Sequence, residues 1–207
     1  ELQARFGRAT ILQGVDPSVT GQPLSVVGRN GMGKTTMCSA LMGMVPASGS
    51  VMLDQEEVLG LGTGRIARKG VALVPQGRRM FPSLSVHEHL LLVAQKGNPA
   101  WTIARVYETF PRLAERRRNG GDQLSGGEQQ MLAISRALLM NPKLVIMDEP
   151  SEGLAPVIVD HLIEVLRAIA AEGMGLLLIE QNLRVATAVS DQVAIMVTGR
   201  IAATVAS

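Results

Sequence analysis

The sequence predicts an α/β fold with a parallel sheet at its centre, and three observations support that class. Short apolar runs without polar alternation recur along the 207 residues, which is typical of strands buried on both faces. Helical stretches separate these runs. Segment 28–36 follows the pattern G-x-x-x-x-G-K-[ST], which binds phosphate where a strand precedes it and a helix follows it. The apolar runs are 24–27, 71–74, 144–147, 176–179 and 193–197.

The remaining elements are predicted from the same kinds of pattern along the chain. Segment 2–19 predicts antiparallel strands, with an edge position or a break at Pro17. Pro142 ends one predicted helix, and Gly173 follows another. Helices are predicted at 34–44, 103–118, 127–140, 156–172 and 182–189.

Segment 83–122 predicts a helical lobe, because it lacks buried-strand runs and is more polar than its surroundings. We therefore expect a single domain over 1–207. In it, a lobe at approximately 83–140 would be inserted into a core formed by 1–82 and 141–207.

The composition argues against several classes of protein. Hydrophobic residues make up 46% of the chain and aromatic residues only 2%, so the predicted core is aliphatic. The net charge of +2 argues against a nucleic-acid partner. The single cysteine excludes an internal disulfide. The most apolar region, 162–179, contains charged residues, so no membrane-spanning segment is expected.

Segment 28–36 supplies the groups that hold a nucleoside triphosphate. Its glycines let the backbone curl round phosphate with the N–H groups pointing inward, and Lys34 would reach the β- and γ-phosphates. The Thr35 hydroxyl is a ligand for Mg²⁺, and the following helix adds the positive end of its dipole. These features predict a P-loop NTPase (RecA-like) core. The predicted nucleotide-binding residues of this loop are Gly28, Asn30, Gly31, Gly33, Lys34, Thr35 and Thr36.

Two acids follow the apolar run at 144–147. A buried unpaired carboxylate is strongly disfavoured, so Asp148 at the strand end predicts a bound cation, Mg²⁺. Glu149 lies one residue further out and would orient and deprotonate a water molecule aimed at the γ-phosphate. Ligands of such folds bind beyond the carboxyl ends of the strands, which would bring this segment to the phosphate loop.

Segment 124–128 carries a second signal for phosphate. Ser125 and Glu128 fit a capping box, which by itself predicts only a stable helix. Gly126 and Gly127 cost about 1 kcal/mol each against alanine, and their open backbone N–H groups suit an anion. Because the chain already has one phosphate loop, we expect this helix end to contact a nucleotide held by another subunit.

These motifs, in this order, resemble the nucleotide-binding subunits of ABC transporters over nearly the whole chain. The order is a phosphate loop, Gln76 after a strand, Leu-Ser-Gly-Gly-Glu at 124–128, apolar-Asp-Glu-Pro at 144–150 and Ser-Glu-Gly-Leu at 151–154. Details such as Gln-Gly-Arg-Arg-Met-Phe from Gln76 and Glu-Gly-Leu-Ala-Pro from Glu152 are similar to the subgroup for branched-chain amino-acid import. Similar subunits serve urea and short amides, so the alternative is the equivalent subunit of an importer for urea, short amides or other amino acids.

The resemblance implies ATP and Mg²⁺ as ligands and assigns further residues. Gln76 would join Thr35 and Asp148 as a metal ligand, and Gln181 would act with Glu149 in catalysis. Gln181 stands where most of the superfamily has a histidine. Phe6 would stack on the adenine, although a strand-face core residue is the alternative reading.

The resemblance also implies partners and a place in the cell. A second ATPase subunit would pair head to tail, so that Ser125 and Gly127 face the partner's ATP. Membrane permease subunits would contact segment 76–89, with Phe81 in an exposed apolar patch. The chain would lie peripherally on the cytoplasmic face of the inner (plasma) membrane. Soluble ABC proteins of DNA repair or translation are the rivals, but they need a long coiled-coil insertion or two such domains.

Overall fold

Strands with no alternation of apolar and polar residues form the middle of the fold. The computed structural model describes residues 1–7, 9–97 and 99–207, and of Phe6 it describes only the backbone. In chain order the strands are Leu2–Phe6 (β1), Ala9–Val15 (β2), Leu24–Val27 (β3), Ala47–Gly49 (β4), Met52–Leu53 (β5), Glu56–Glu57 (β6), Val71–Val74 (β7), Leu144–Asp148 (β8), Gly175–Glu180 (β9), Gln192–Val197 (β10) and Arg200–Ala206 (β11).

Six of these strands form one sheet in the order β11-β10-β3-β9-β8-β7. Strands β10, β3, β9, β8 and β7 run parallel to one another, and β11 pairs antiparallel with β10 at the edge. The five runs predicted as buried strands are the five parallel ones, as their apolar pattern indicates. Strand β9 lies between β3 and β8, so three strand ends meet at one edge of the sheet.

The N-terminal region forms a separate antiparallel sheet in the order β2-β1-β4, and β5 pairs with β6 in a short hairpin. The prediction of antiparallel strands at the N-terminus is confirmed. Strand β2 ends at Val15, so Pro17 marks a break rather than an edge position. The short strands β4 to β6 were not predicted, because two or three half-exposed residues carry no periodic signal.

Helices cover both faces of the central sheet. They are Lys34–Leu41 (α1), Thr63–Arg68 (α2), Val86–Leu91 (α3), Ile103–Thr109 (α4), Pro111–Glu115 (α5), Gly126–Leu138 (α6), Pro156–Ala171 (α7) and Leu183–Val189 (α8). The predicted helix 103–118 is two helices, because Phe110 leaves the helical backbone region before Pro111. None of the helices in the described ranges is both long and apolar enough to cross a bilayer.

Alternate side chains of β8 face two different hydrophobic cores, one on each side of the sheet. Val145 and Met147 pack in a cluster with helices α3 to α7. Ile146 faces the opposite way, into a cluster with α1 and the N-terminal sheet. The described elements between β7 and β8 are helical, and their apolar side chains join the first of these cores. The division into a core and an inserted lobe stays a prediction.

Candidate active site

The loop between β3 and α1 requires glycine for two different reasons. A Cβ on Gly28 would lie 2.7 Å from the carbonyl oxygen of Met196, so the loop packs directly against β10. Gly33 has a φ of 101°, which L side chains rarely adopt. Gly33 is also the N-cap of α1, and having no side chain it leaves the first N–H groups of the helix for an anion.

Lys34 is buried at the start of α1 and has three acceptors. Its Nζ donates to the carbonyl oxygens of Gly28 at 2.7 Å and Arg29 at 3.1 Å. The third acceptor is Glu149, whose Oε1 lies 3.1 Å from Nζ. An ammonium group has three N–H donors, so these contacts saturate it. A phosphate arriving in this loop would therefore take Lys34 from one of its acceptors, and the side-chain one is Glu149.

Glu149 stands at the turn after β8 in a left-handed conformation, with a φ of 51°. Its backbone N–H donates to the carbonyl oxygen of Ile179 at 2.8 Å, which fixes this turn against β9. A positive φ is uncommon for a residue with a side chain and costs free energy that the surrounding contacts offset. The turn holds the carboxylate over Lys34, with only 5% of the side chain exposed.

Gln181 connects the phosphate loop to Glu149. Its Nε2 donates to Asn30 Oδ1 at 2.6 Å and to Glu149 Oε2 at 2.8 Å. Since β9 lies between β3 and β8, the residue after β9 falls between the loops that follow the other two strands. Both N–H groups of the Gln181 amide are engaged, and its oxygen is left to accept a hydrogen bond.

Asp148 fits the predicted cation ligand. Its carboxyl group is buried, and Oδ1 finds no hydrogen-bond partner in the described part of the chain. Burial raises the pKa of Asp148, and the neighbouring Thr35 hydroxyl opposes that rise. Thr35, Asp148 and Gln76 line one cavity of about 410 Å³. A hydroxyl, a carboxylate and an amide oxygen are the hard ligands that Mg²⁺ prefers, so these residues fit the ion.

Replacing Asp148 by Asn is expected to raise the free energy of unfolding of the nucleotide-free chain by about 1–3 kcal/mol, because it removes a buried carboxylate charge. It should also abolish the gain in nucleotide affinity that Mg²⁺ provides. Urea unfolding and calorimetric titration measure the two effects. Asp191→Asn changes an exposed carboxyl group and should alter stability by less than about 0.5 kcal/mol. A less stable Asp148→Asn chain would contradict the direction of the pKa shift.

Ser125 caps α6 as its sequence predicts. The hydroxyl accepts from the backbone N–H of Glu128, and the Glu128 carboxylate accepts from the backbone N–H of Ser125. Gly126 and Gly127 also have a reason within the chain, since added Cβ atoms would lie 2.8 Å from Arg78 Nη1 and 3.0 Å from Ile158 Cγ2. Among the described residues, no hydrogen bond or ion pair joins 124–128 to the phosphate loop.

Two carboxylates without a role assigned from the sequence organise this edge of the sheet. Glu180, at the end of β9, accepts from the backbone N–H groups of Ser151, Gln181 and Asn182. Burial raises its pKa and these hydrogen bonds oppose the rise. Glu152 accepts from the side-chain amide of Gln76 at 2.8 Å. An acid ending an apolar strand was the available signal for Glu180, and Glu152 lies in the Ser-Glu-Gly-Leu motif at 151–154, which gave it no role of its own.

The structure thus brings Asn30, Lys34, Glu149 and Gln181 into one connected network, with Thr35, Gln76 and Asp148 round the adjoining cavity. Thr36 is the third residue of α1 and is half-buried. The side chain of Phe6 lies outside the described residues, so its stacking on adenine stays a prediction.

Comparisons with known proteins show the family of this chain. The family model for the ABC transporter matches residues 17–152. The chain is 40% identical over 201 residues to the high-affinity branched-chain amino acid transport ATP-binding protein BraG of Pseudomonas aeruginosa, covering 95% of this chain and 86% of that protein. It is 31% identical to the lipopolysaccharide export system ATP-binding protein LptB of Escherichia coli K12, over 89% and 79% of the two chains.

A solved structure agrees as well. The crystal structure of a nucleotide-free ATP-binding cassette from an ABC transporter superposes with a TM-score of 0.85 at 25% identity, covering 100% of this chain and 91% of that one. The fold predicted from the sequence is confirmed. The chain therefore belongs to the ABC transporter family, as one of its ATP-hydrolysing subunits.

Proposed function

We propose that this subunit hydrolyses Mg²⁺-bound ATP to power the import of branched-chain amino acids. The observation that carries the proposal is the 40% identity with BraG over 95% of the chain. The connected network of Lys34, Glu149 and Gln181 supports hydrolysis, because it joins the phosphate loop to a buried carboxylate.

The residues of the site divide the chemistry between them. The backbone N–H groups of the loop and Lys34 hold the phosphates. Once phosphate takes up Lys34, Glu149 is free to accept a proton from a water molecule that attacks the γ-phosphorus, and the bond to the β,γ-bridging oxygen breaks. Thr35, Asp148 and Gln76 would hold Mg²⁺, which would supply positive charge to offset that of the phosphates.

A second subunit completes the proposed site. Ser125, Gly126 and Gly127 at the start of α6 present backbone N–H groups and a hydroxyl to an anion, and they make no hydrogen bond to this chain's own loop in the described residues. We propose that they contact ATP held by another ABC subunit in a head-to-tail dimer. Permease subunits would hold this dimer at the cytoplasmic face of the inner membrane.

Reconstitution tests the transported substrate. The chain, reconstituted in proteoliposomes with the second ATPase subunit, the permease subunits and the binding protein, should hydrolyse ATP faster when leucine, isoleucine or valine is present. Urea or a short amide in place of the amino acid should leave the rate unchanged. Stimulation by urea would assign the chain to a urea importer. Export of lipopolysaccharide without amino-acid uptake would assign it the function of LptB.

Phe81 provides a separate test of the permease contact. Its side chain is 50% exposed, and its ring lies 5.8 Å from the ring of buried His89. The Phe81 backbone N–H donates to His89 Nε2 at 2.9 Å, so the loop is anchored independently of the Phe81 side chain. Exposed apolar surface of this kind marks partner sites.

Phe81→Asp should therefore uncouple transport while leaving the ATPase rate of the detergent-free subunit within about twofold. Loss of one aromatic side chain buried in an interface weakens the free energy of binding by about 2 kcal/mol. Uptake and ATPase activity in proteoliposomes measure the coupling. Val157→Asp, at a side chain that is 71% exposed on α7, is the matched control. A fall in the melting temperature of Phe81→Asp large enough to explain the loss of transport would show that Phe81 belongs to the hydrophobic core instead.

A further inference from the structure

Two neighbouring loops beside the cation site are tied together by a pair of contacts. Gln76 Nε2 donates to Glu152 Oε2 at 2.8 Å, and Arg78 Nη2 donates to the carbonyl oxygen of Glu152 at 3.1 Å. The first loop follows β7 and the second follows β8, and β7 and β8 are neighbours in the sheet. Glu152 is also fixed to the catalytic turn, since its backbone N–H donates to the Glu149 carbonyl oxygen at 3.1 Å.

The loop after β7 adopts an unfavourable backbone at this contact. Arg78 and Arg79 have φ values of 60° and 45°, two successive left-handed residues that both carry side chains. Such a backbone conformation costs free energy and is kept only where surrounding contacts hold it in place. The Arg78 guanidinium supplies those contacts, since it lies against Gly126 and donates to Glu152. The contacts of Arg78 thus fix the loop that carries Gln76 against the loop that carries Glu152.

The chemistry of this hydrogen bond fixes which end of the Gln76 amide is free. An ionised carboxylate only accepts hydrogen bonds, so Glu152 binds the NH₂ group of Gln76 and leaves the amide oxygen without this partner. An amide oxygen is the atom that Mg²⁺ coordinates, whereas an amide nitrogen is not a ligand for it. Gln76 lines the same cavity as Thr35 and Asp148.

We propose that Glu152 is a positioning residue that orients the Gln76 amide with its oxygen available to the cation of the Thr35 and Asp148 site. The inference deepens the proposed function, since it assumes Mg²⁺ at that site. Among the described residues, Glu152 is the only hydrogen-bond partner of the Gln76 side chain. Without it, the amide can turn its nitrogen to the cavity or leave the cavity altogether. The loss then appears in the affinity for the divalent cation.

Binding of Mn²⁺ in the presence of a non-hydrolysable ATP analogue, followed by electron paramagnetic resonance, tests the orientation without any turnover. Glu152→Ala should weaken Mn²⁺ binding by about tenfold, the worth of one hydrogen bond to a charged group. Glu152→Gln removes the charge but keeps an oxygen that accepts from Gln76, so its affinity should stay within about threefold of the parent. Glu164→Ala removes an exposed carboxylate of α7 and is the control for charge.

Gln76→Ala decides whether the effect passes through Gln76. In that background, adding Glu152→Ala should cause no further loss of Mn²⁺ affinity, because the amide that Glu152 orients is absent. Additive losses would overturn the proposal, as would unchanged affinity in Glu152→Ala. Equal losses in Glu152→Ala and Glu152→Gln would show an effect of charge alone and would also overturn it. A parent chain that binds the analogue but no Mn²⁺ would refute the proposed cation site itself.

Discussion

Replacing Glu149 by Gln is expected to leave ATP bound and to lower its turnover by about 10²–10⁴-fold, the usual contribution of a general base. Gln has nearly the shape of Glu but cannot accept a proton near neutral pH. The amide oxygen still offers an acceptor to Lys34, so the phosphate loop should keep its form. Association that depends on ATP should also last longer, because the nucleotide is not consumed.

The buried ion pair gives this variant a second signature. In the nucleotide-free chain, Lys34 and Glu149 are buried together, and Glu149→Gln leaves the Lys34 charge without its carboxylate. Removing one partner of a buried pair is destabilising, so the free variant should melt at a lower temperature than the parent. Bound ATP supplies new negative charge to Lys34 and should remove most of that difference.

Single-turnover hydrolysis, nucleotide binding and thermal unfolding measure these effects together. Glu172→Gln is the matched control, because it changes an exposed carboxylate paired with Arg105 at the end of α7. Turnover within twofold of the parent would remove Glu149 from the mechanism. Weak ATP binding in Glu149→Gln would show that Glu149 contributes to binding ATP and not to activating the attacking water molecule.

The central sheet and the main motifs were predictable because their signals are local. A run of apolar residues such as 144–147 has to be buried on both faces, and the glycine spacing in 28–36 has to form a turn before a helix. The convergence of these motifs on one edge follows from the parallel arrangement, in which the carboxyl ends of the strands share a side.

Other features depend on contacts distant in sequence. Gln76 and Glu152 meet only because β7 and β8 are neighbours, which no property of either segment reveals. Gly126 was interpreted from the free energy it costs a helix, whereas its fit against Arg78 requires the folded loop. Phe110 leaves the helical region between α4 and α5, a break that the apolar pattern of 103–118 does not show.

Gln181 offers the clearest case of a role that geometry refines. The family resemblance implied only that Gln181 acts with Glu149 in catalysis. In the structure, both N–H groups of Nε2 are already given to Asn30 and Glu149, and the amide oxygen remains. A carboxylate held by a donor at 2.8 Å keeps its second oxygen turned to Lys34. Gln181 therefore holds Glu149 against the phosphate loop, and we expect it to orient this carboxylate for an attacking water molecule.

Gln181→Ala is accordingly expected to lower ATP turnover by about 10- to 100-fold, the worth of a hydrogen bond to a charged group, with a smaller change in ATP affinity. Gln181→His should keep most of the activity, because an imidazole N–H can donate to Glu149 as the amide does. Steady-state rates with the full set of partner subunits measure both. Gln192→Ala removes an exposed amide at the start of β10 and should change nothing.

The double variant separates positioning from a proton-transfer role. If Gln181 acts through Glu149, adding Gln181→Ala to Glu149→Gln should cost little further activity, since groups that act as a unit are not additive. If a base were required at position 181, the parent chain itself would be inactive, because an amide cannot take up and return a proton near neutral pH. Hydrolysis by the assembled parent would exclude that requirement, and its absence would overturn the assignment of Glu149 as the base.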